Sequence, residues 1–473
     1  MARILLGLLG FFLSGGLAQT QEPAGKSPDP LEGLIQKLGS DVPAEREEAM
    51  GSLRKMGARA APRLRRELQA VQDGEVRIRL ETLLSDLALF DSTTFFEGRL
   101  GERRRRLEEG GGTPETERAV HSALLWLARH QSPDGAWSAV GFGTGCGTPA
   151  CDGPGEKDYD LGLTGLALLA FLGSGYSPLS KDVYSDPVKG GEAVLFGPCV
   201  DRGLKRLIEI QSPDGGIGSG TRRFVYNHAL ATLALCEAYA ITRTAGLQEP
   251  ARKAVDFLVA AQNPGRAWRY TPRCGDNDSS ATGWAVMALR TAQFASLEVR
   301  RQVFDDALRW FEDVSEQDVY GRVGYTFRGT GKVYAPGKNE SFDDHPTLTG
   351  FALSARLSLG VRKGDLPSES AALVLADPPK ETPKEIDYHY WFHGAQAVYQ
   401  FEGPGGEGWK RWNHALKKAL VPTQKTAKDG CASGSWDPSV DRWGFAGGRV
   451  YATAINALTL ETYYRYPLFA ARK

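Results

Sequence analysis

The stretch that decides the fold is ALLWLARHQSPDGAW, residues 123–137: an amphipathic helix runs into Gln131, Ser-Pro-Asp-Gly makes a turn, and a tryptophan follows. The same order recurs in LKRLIEIQSPDGGI at 204–217 and in AVDFLVAAQNPGRAW at 254–268. A weaker copy is ALKKALVPTQKTAKDGCASGSW at 415–436, while ALRWFEDVSEQDVYGRVGY at 307–325 keeps the outline. Each residue type has a local task. The glutamine amide bonds carbonyls left free at a helix end, Asp-Gly supplies the turn, and the indole packs over the junction. Trp137 and Trp268 therefore read as structural residues.

Each copy leads into a second helical run, apolar on most faces and rich in small residues. These runs are DLGLTGLALLAFLGSG (160–175), VYNHALATLALCEAYAI (225–241), SSATGWAVMALRTA (279–292) and PTLTGFALSARLSLG (346–360). YHYWFHGAQAVYQF (388–401) and VYATAINALTLETYYRY (450–466) continue the series. A helix apolar all round is buried, whereas one with a polar face lies outside. The pattern predicts an all-α closed ring, with inner helices at 160–173, 226–241, 280–292, 347–359, 388–401 and 451–464 and about six outer partners. The outer partner near Glu369 to Ala376 is the shortest.

Outside the ring the chain changes character. Met1-Ala2-Arg3, an apolar run to Ala18 and Gly16-Leu17-Ala18 before Gln19 read as a cleaved signal peptide at 1–18, hence a secreted or periplasmic protein. Residues 19–30 read as a linker, 31–88 as a short helical segment, 89–112 as a connector and 113–468 as the ring. No later stretch is long and apolar enough to span a membrane. Lys plus Arg (57) cancels Asp plus Glu (57), so no global field holds nucleic acid. The Arg103 to Arg106 run is flanked by glutamates and reads as a solvated helix face. Export permits disulfides, and Cys146 and Cys151, which share one Gly/Pro-rich loop, are the expected pair. Cys236 reads as buried within its helix.

The helix-Gln-x-x-Asp-Gly-x-Trp unit, alternating with a Thr-Gly-x-x-Leu inner helix, resembles the prenyltransferase/squalene-oxidase repeat of the terpenoid-cyclase superfamily. The likeness covers 113–468, and the helix pairs at 31–88 resemble a HEAT repeat. The resemblance implies an (α/α)6 toroid preceded by a short HEAT-like segment, and leaves the chemistry open. Asp158-Tyr159-Asp160-Leu161 and Asp276-Asn277-Asp278-Ser279 both lack the last residue of the cyclase Asp-x-Asp-Asp acid. Neither Asp305-Asp306 nor Asp343-Asp344 completes Asp-Asp-x-x-Asp, so terpene cyclisation is not supported. Cys274-Gly275-Asp276-Asn277 lacks the glutamine of a complement-type thioester.

Protein prenyltransferase beta subunits share the ring and bind zinc at the starts of successive inner helices. The resemblance implies zinc as cofactor, on Asp343, His345 and His389, with His393 one turn further on. Helix capping by Asp343 or Asp344 is the competing reading. The remaining candidates for the cavity mouth are Asp160, Tyr226, His228, Asp276, Asp278, Trp284, Tyr388 and Trp391. The expected function is a non-cyclising binding or scaffold protein using the toroid cavity, with an unidentified ligand or protein partner. The alternative is a metal-assisted or glycan-acting enzyme, the latter using two carboxylates across an aromatic cavity.

Overall fold

The computed structural model of the chain describes residues 30–56, 60–90, 103–147, 150–316, 319–329, 346–362, 364–382 and 385–465. The expected signal peptide, and all of the linker but Pro30, lie outside them. The chain divides into two compact units, residues 1–83 and 84–473.

In the first unit α1 (Pro30–Lys37), α2 (Pro43–Met56), α3 (Ala61–Ala70) and the first part of α4 (Gly74–Phe90) bury Leu38, Ala49, Leu53, Leu64 and Leu80. Arg79 donates to the Leu38 carbonyl (3.0 Å), satisfying a group left free beyond the end of α1.

In the second unit α5 (Arg103–Gly110) precedes a strict alternation of outer and inner helices. Outer α6 (Pro114–Arg129) is followed by inner α7 (Asp160–Gly173), outer α8 (Phe196–Glu209) by inner α9 (Phe224–Thr242), and outer α10 (Ala245–Ala260) by inner α11 (Ser279–Phe294). Outer α12 (Arg301–Asp313) then pairs with inner α13 (Thr347–Ser358), α14 (Asp365–Ala376) with α15 (Tyr388–Glu402), and α16 (Glu407–Leu420) with α17 (Gly444–Leu460), before the short α18 (Thr462–Arg465). Each inner helix packs on the next, and α17 packs on α7, so the ring is closed. This is the (α/α)6 toroid the repeats imply.

The repeat residues hold the ring in register. The indoles of Trp137, Trp268 and Trp436 donate to the carbonyls of Leu127, Leu258 and Leu420, at 2.8, 2.8 and 2.9 Å. The glutamine amide reaches further than the sequence suggested, because it bridges its own turn to the next outer helix. Gln131 donates to Gly135 and Cys199, Gln211 to Gly215 and Pro250, and Gln262 to Arg266 and Val303. Gln424 donates to Gly434 and to Ala119 of α6, which carries the last repeat back to the first. The turn glycine is obligatory: a Cβ on Gly434, at φ 94°, would stand 2.1 Å from the Ser122 carbonyl oxygen.

Four details depart from the sequence reading. The sixth inner helix begins at Gly444, not 451, and breaks at Gly448 (φ 62°), where a Cβ would meet the Gly153–Gly155 loop. The fifth outer helix is a full 12 residues from Asp365. Arg103 is no solvated residue: it bonds the Ser174 carbonyl (2.8 Å), Tyr464 (3.1 Å) and Glu117 (2.7 Å), while Arg105 stays exposed. A hairpin of β1 (Val183–Asp186) and β2 (Glu192–Leu195), unforeseen in the sequence, delivers Asp186 to the Arg129 guanidinium at 2.9 and 3.0 Å.

Candidate ligand cavity of the toroid

The inner helices start at one end of the ring, and the loops before them surround a cavity of about 390 Å³. Its depth is aliphatic, from Leu163, Leu166, Leu230, Leu348 and Ile455 on those helices. Its walls are aromatic: Tyr159, Tyr226, Tyr270, Trp284, Tyr325, Trp443 and Tyr451. Glu156, Arg223, Arg269, Asp387 and His389 add charge and hydrogen-bonding groups.

The hydroxyls are fixed by one another. Trp284 donates its indole N–H to the Tyr226 oxygen at 2.9 Å, and His389 Nε2 stands 3.5 Å from that oxygen. Tyr270 and Tyr325 bond hydroxyl to hydroxyl at 2.6 Å. Burial pushes the Tyr270 phenol up to about 12, and holds Tyr226 and Tyr325 further above the usual range, so all three stay neutral. Arg223 lies over the Tyr270 ring, 4.1 Å from its centroid, and Arg269 lies at 5.6 Å. The Tyr451 hydroxyl is buried and has no hydrogen-bond partner among the described residues, although Tyr451 belongs to the cavity wall. Such a group is costly unless a ligand or water meets it.

Of the sequence candidates, Tyr226, Trp284 and His389 line this cavity. The others lie elsewhere for clear reasons. His228 is buried behind the ring: it accepts from the Ile217 N–H (3.1 Å), faces the Ala254 carbonyl (3.0 Å), and desolvation lowers its pKa to about 4. Asp160 accepts the Ala139 N–H at 2.7 Å, Tyr388 and Trp391 are buried in the aromatic core, and Asp276 is exposed. Asp278 caps α11 through the Ala281 N–H (2.7 Å) and Ser280 (2.8 Å). Its second oxygen is buried without a hydrogen-bond partner among the described residues, 4.0 Å from Arg269, and desolvation raises its pKa. Asp387 is likewise a cap, taking the Tyr390 N–H (2.7 Å) and the Trp443 indole N–H (3.1 Å).

Arg223, Arg269, Tyr270 and Tyr325 were not singled out in the sequence. A signal for the tyrosines existed: Tyr270 follows Trp268 by two residues, and Tyr325 follows Val323 by two. Val323 holds the tryptophan position of its repeat, since its N–H donates to Thr349 (3.1 Å) as that of Trp137 does to Thr164 (3.0 Å).

The expected zinc set cannot be assembled here, because Asp343 and His345 lie outside the described residues. His393, beyond His389, is buried against Phe351 and Trp284, and desolvation keeps it neutral. Among the described residues, potential metal ligands converge at another place: His130, Cys146, Cys151 and Cys431, with ligand atoms all within 4.8 Å of one another. Cys146 and Cys151, the expected disulfide pair, are both free thiols here, as are the other four cysteines, and their sulfurs lie 3.2 and 3.5 Å from His130 Nε2.

No family model matches the chain, and no curated protein matches it. Solved structures similar to it include an unsaturated glucuronyl hydrolase specific for heparin, with TM-score 0.49 and 13% identity over 75% of this chain and 97% of that one. An inactive variant of the alpha-1,6-mannanase GH76A of Salegentibacter sp. HEL1_6 gives 0.48 and 11% over 74% and 99%. The type II terpene cyclase MstE from Scytonema gives 0.44 and 15% over 74% and 97%. No helix among the described residues is long and apolar enough to cross a membrane.

Proposed function

We propose that the toroid cavity binds a glycan, and more narrowly a sugar carrying an acidic group. The observation that carries this reading is the wall itself. Trp443 and the tyrosine faces offer stacking surfaces, neutral phenols and the unpartnered Tyr451 hydroxyl offer hydrogen bonds, and Arg223 and Arg269 supply cations for a carboxylate or sulfate. Of the functions read from the sequence, the glycan-acting alternative fits this wall better than a scaffold, whose cavity has no use for such groups. Export through the residues at 1–18 is part of the proposal, because polymeric glycans are met outside the cell.

The test is calorimetric titration with matched acidic and neutral oligosaccharides. Arg223→Ala and Arg269→Ala should each weaken the acidic ligand by about 10- to 100-fold, the loss of one charged hydrogen bond, and leave the neutral one nearly unchanged. Equal binding of both ligands by the native protein and its arginine variants sinks the acidic-sugar reading.

A further inference from the structure

We propose that His130, Cys146, Cys151 and Cys431 form a closed four-ligand zinc site that staples the first hairpin of the toroid to the sixth. His130 follows outer helix α6, Cys146 and Cys151 lie in the loop before inner helix α7, and Cys431 lies between α16 and α17. The site therefore sits where the ring closes, and it joins residues 301 apart in sequence.

The nitrogen-to-sulfur distances are close to those around a tetrahedral ion. His130 Nε2 lies 3.2 Å from the Cys146 sulfur and 3.5 Å from those of Cys151 and Cys431. Zinc bonds of ~2.05 Å to nitrogen and ~2.3 Å to sulfur give a tetrahedral N···S edge of about 3.6 Å. The imidazole is set for the task. Its Nδ1 faces the Trp126 carbonyl at 2.7 Å and so carries the proton, and the ring stacks on Trp126, centroids 4.0 Å apart. The lone pair of Nε2 then points at three sulfurs. Protons alone satisfy this arrangement poorly, since one lone pair accepts from one thiol. A disulfide between any two of the cysteines strands the third.

The surroundings suit the charge. Three thiolates, a neutral imidazole and Zn²⁺ sum to one negative charge, and Arg129, Arg449 and Lys189 are near enough to act on His130 electrostatically. Arg129 also fixes the fourth ligand: it donates to Ser433 O (2.6 Å) and Cys431 O (3.4 Å) while its other nitrogen grips Asp186. His130 is buried and the three cysteines are half-buried, with four protein ligands and no open position. That is the pattern of a structural ion, not a catalytic one. Soft sulfur with one imidazole selects zinc over magnesium, calcium or manganese.

The experiment uses the full chain, with metal content measured by plasma mass spectrometry and thiols counted in the native state. About one zinc per chain is expected, with three thiols that react only after a strong chelator is added. Cys431→Ser should lower zinc affinity by at least ~100-fold and the melting temperature by about 5 °C or more. Cys274→Ser, an exposed position elsewhere, should change neither. Cobalt substitution of the native chain should give a tetrahedral thiolate spectrum, and it is informative even if Cys431→Ser fails to fold. A disulfide joining two of the three cysteines, or metal-free protein whose three thiols react at once, overturns the proposal.

Discussion

Replacing Trp137 by alanine tests how the repeat supports the ring. The indole is fully buried, its N–H donates to the Leu127 carbonyl, and it packs against Phe171 and the α8 backbone at Gly203, which leaves its ring little room to spare. Large aromatic-to-alanine changes in such sites cost ~3–5 kcal/mol, the upper part being cavity that does not collapse. Leu127 O also loses the indole N–H and keeps the His130 N–H at 3.2 Å, a contribution of ~1 kcal/mol that falls within that range. The expected loss is about 4 kcal/mol, read as a shift in the urea midpoint by far-ultraviolet circular dichroism. Trp137→Phe keeps most of the ring and loses the hydrogen bond, so about half that cost is expected. Sugar affinity per folded molecule should not change in either variant, since Trp137 does not line the cavity. A loss below ~1 kcal/mol, or lost binding at unchanged stability, would refute the structural assignment of the motif.

Glu237→Ala should cost about 2 kcal/mol in the same assay, because it strips one charged hydrogen bond (2.7 Å) from the buried Arg465, which keeps Glu461 at 3.3 Å. His228 supplies a pH test. Its folded pKa, about 4, lies below the unfolded ~6.5, so its contribution is present above 6.5 and fades as pH falls toward 4. Native protein should lose about 2 kcal/mol of that contribution between neutrality and pH ~5, and His228→Asn should show a flatter profile. Exported protein should begin at Gln19 on terminal sequencing; an intact Met1 would remove the signal-peptide reading.

The ring was legible because its information is periodic and local. Gln131, Gln211 and Gln262 announce helix ends, and the small apolar residues of α7, α9 and α11 announce burial. The glutamine's second partner was not legible, since Cys199, Pro250 and Val303 belong to the next outer helix and become neighbours only when the ring closes. The mouth was harder. Aspartates before inner helices are required as caps, and Asp278 and Asp387 show that cap and cavity positions cannot be separated by spacing alone. Tyr226 and Trp284 were found because their helices expose one face inward, whereas Arg223 and Arg269 lie on loops whose path no period fixes. The cysteine cluster failed to appear for the same reason as the glutamine contacts. Cys146 and Cys151 were read as a local pair, and nothing in the sequence brings in Cys431 from the far end of the ring.

The most direct test of the account is a crystal structure of the protein soaked with an acidic disaccharide. The expected result is a sugar ring within ~4 Å of the Trp443 face, its acidic group 2.7–2.9 Å, roughly, from the Arg223 or Arg269 guanidinium. A sugar bound only to the outer helices, or a cavity that retains a wholly apolar molecule and excludes the sugar, would contradict it.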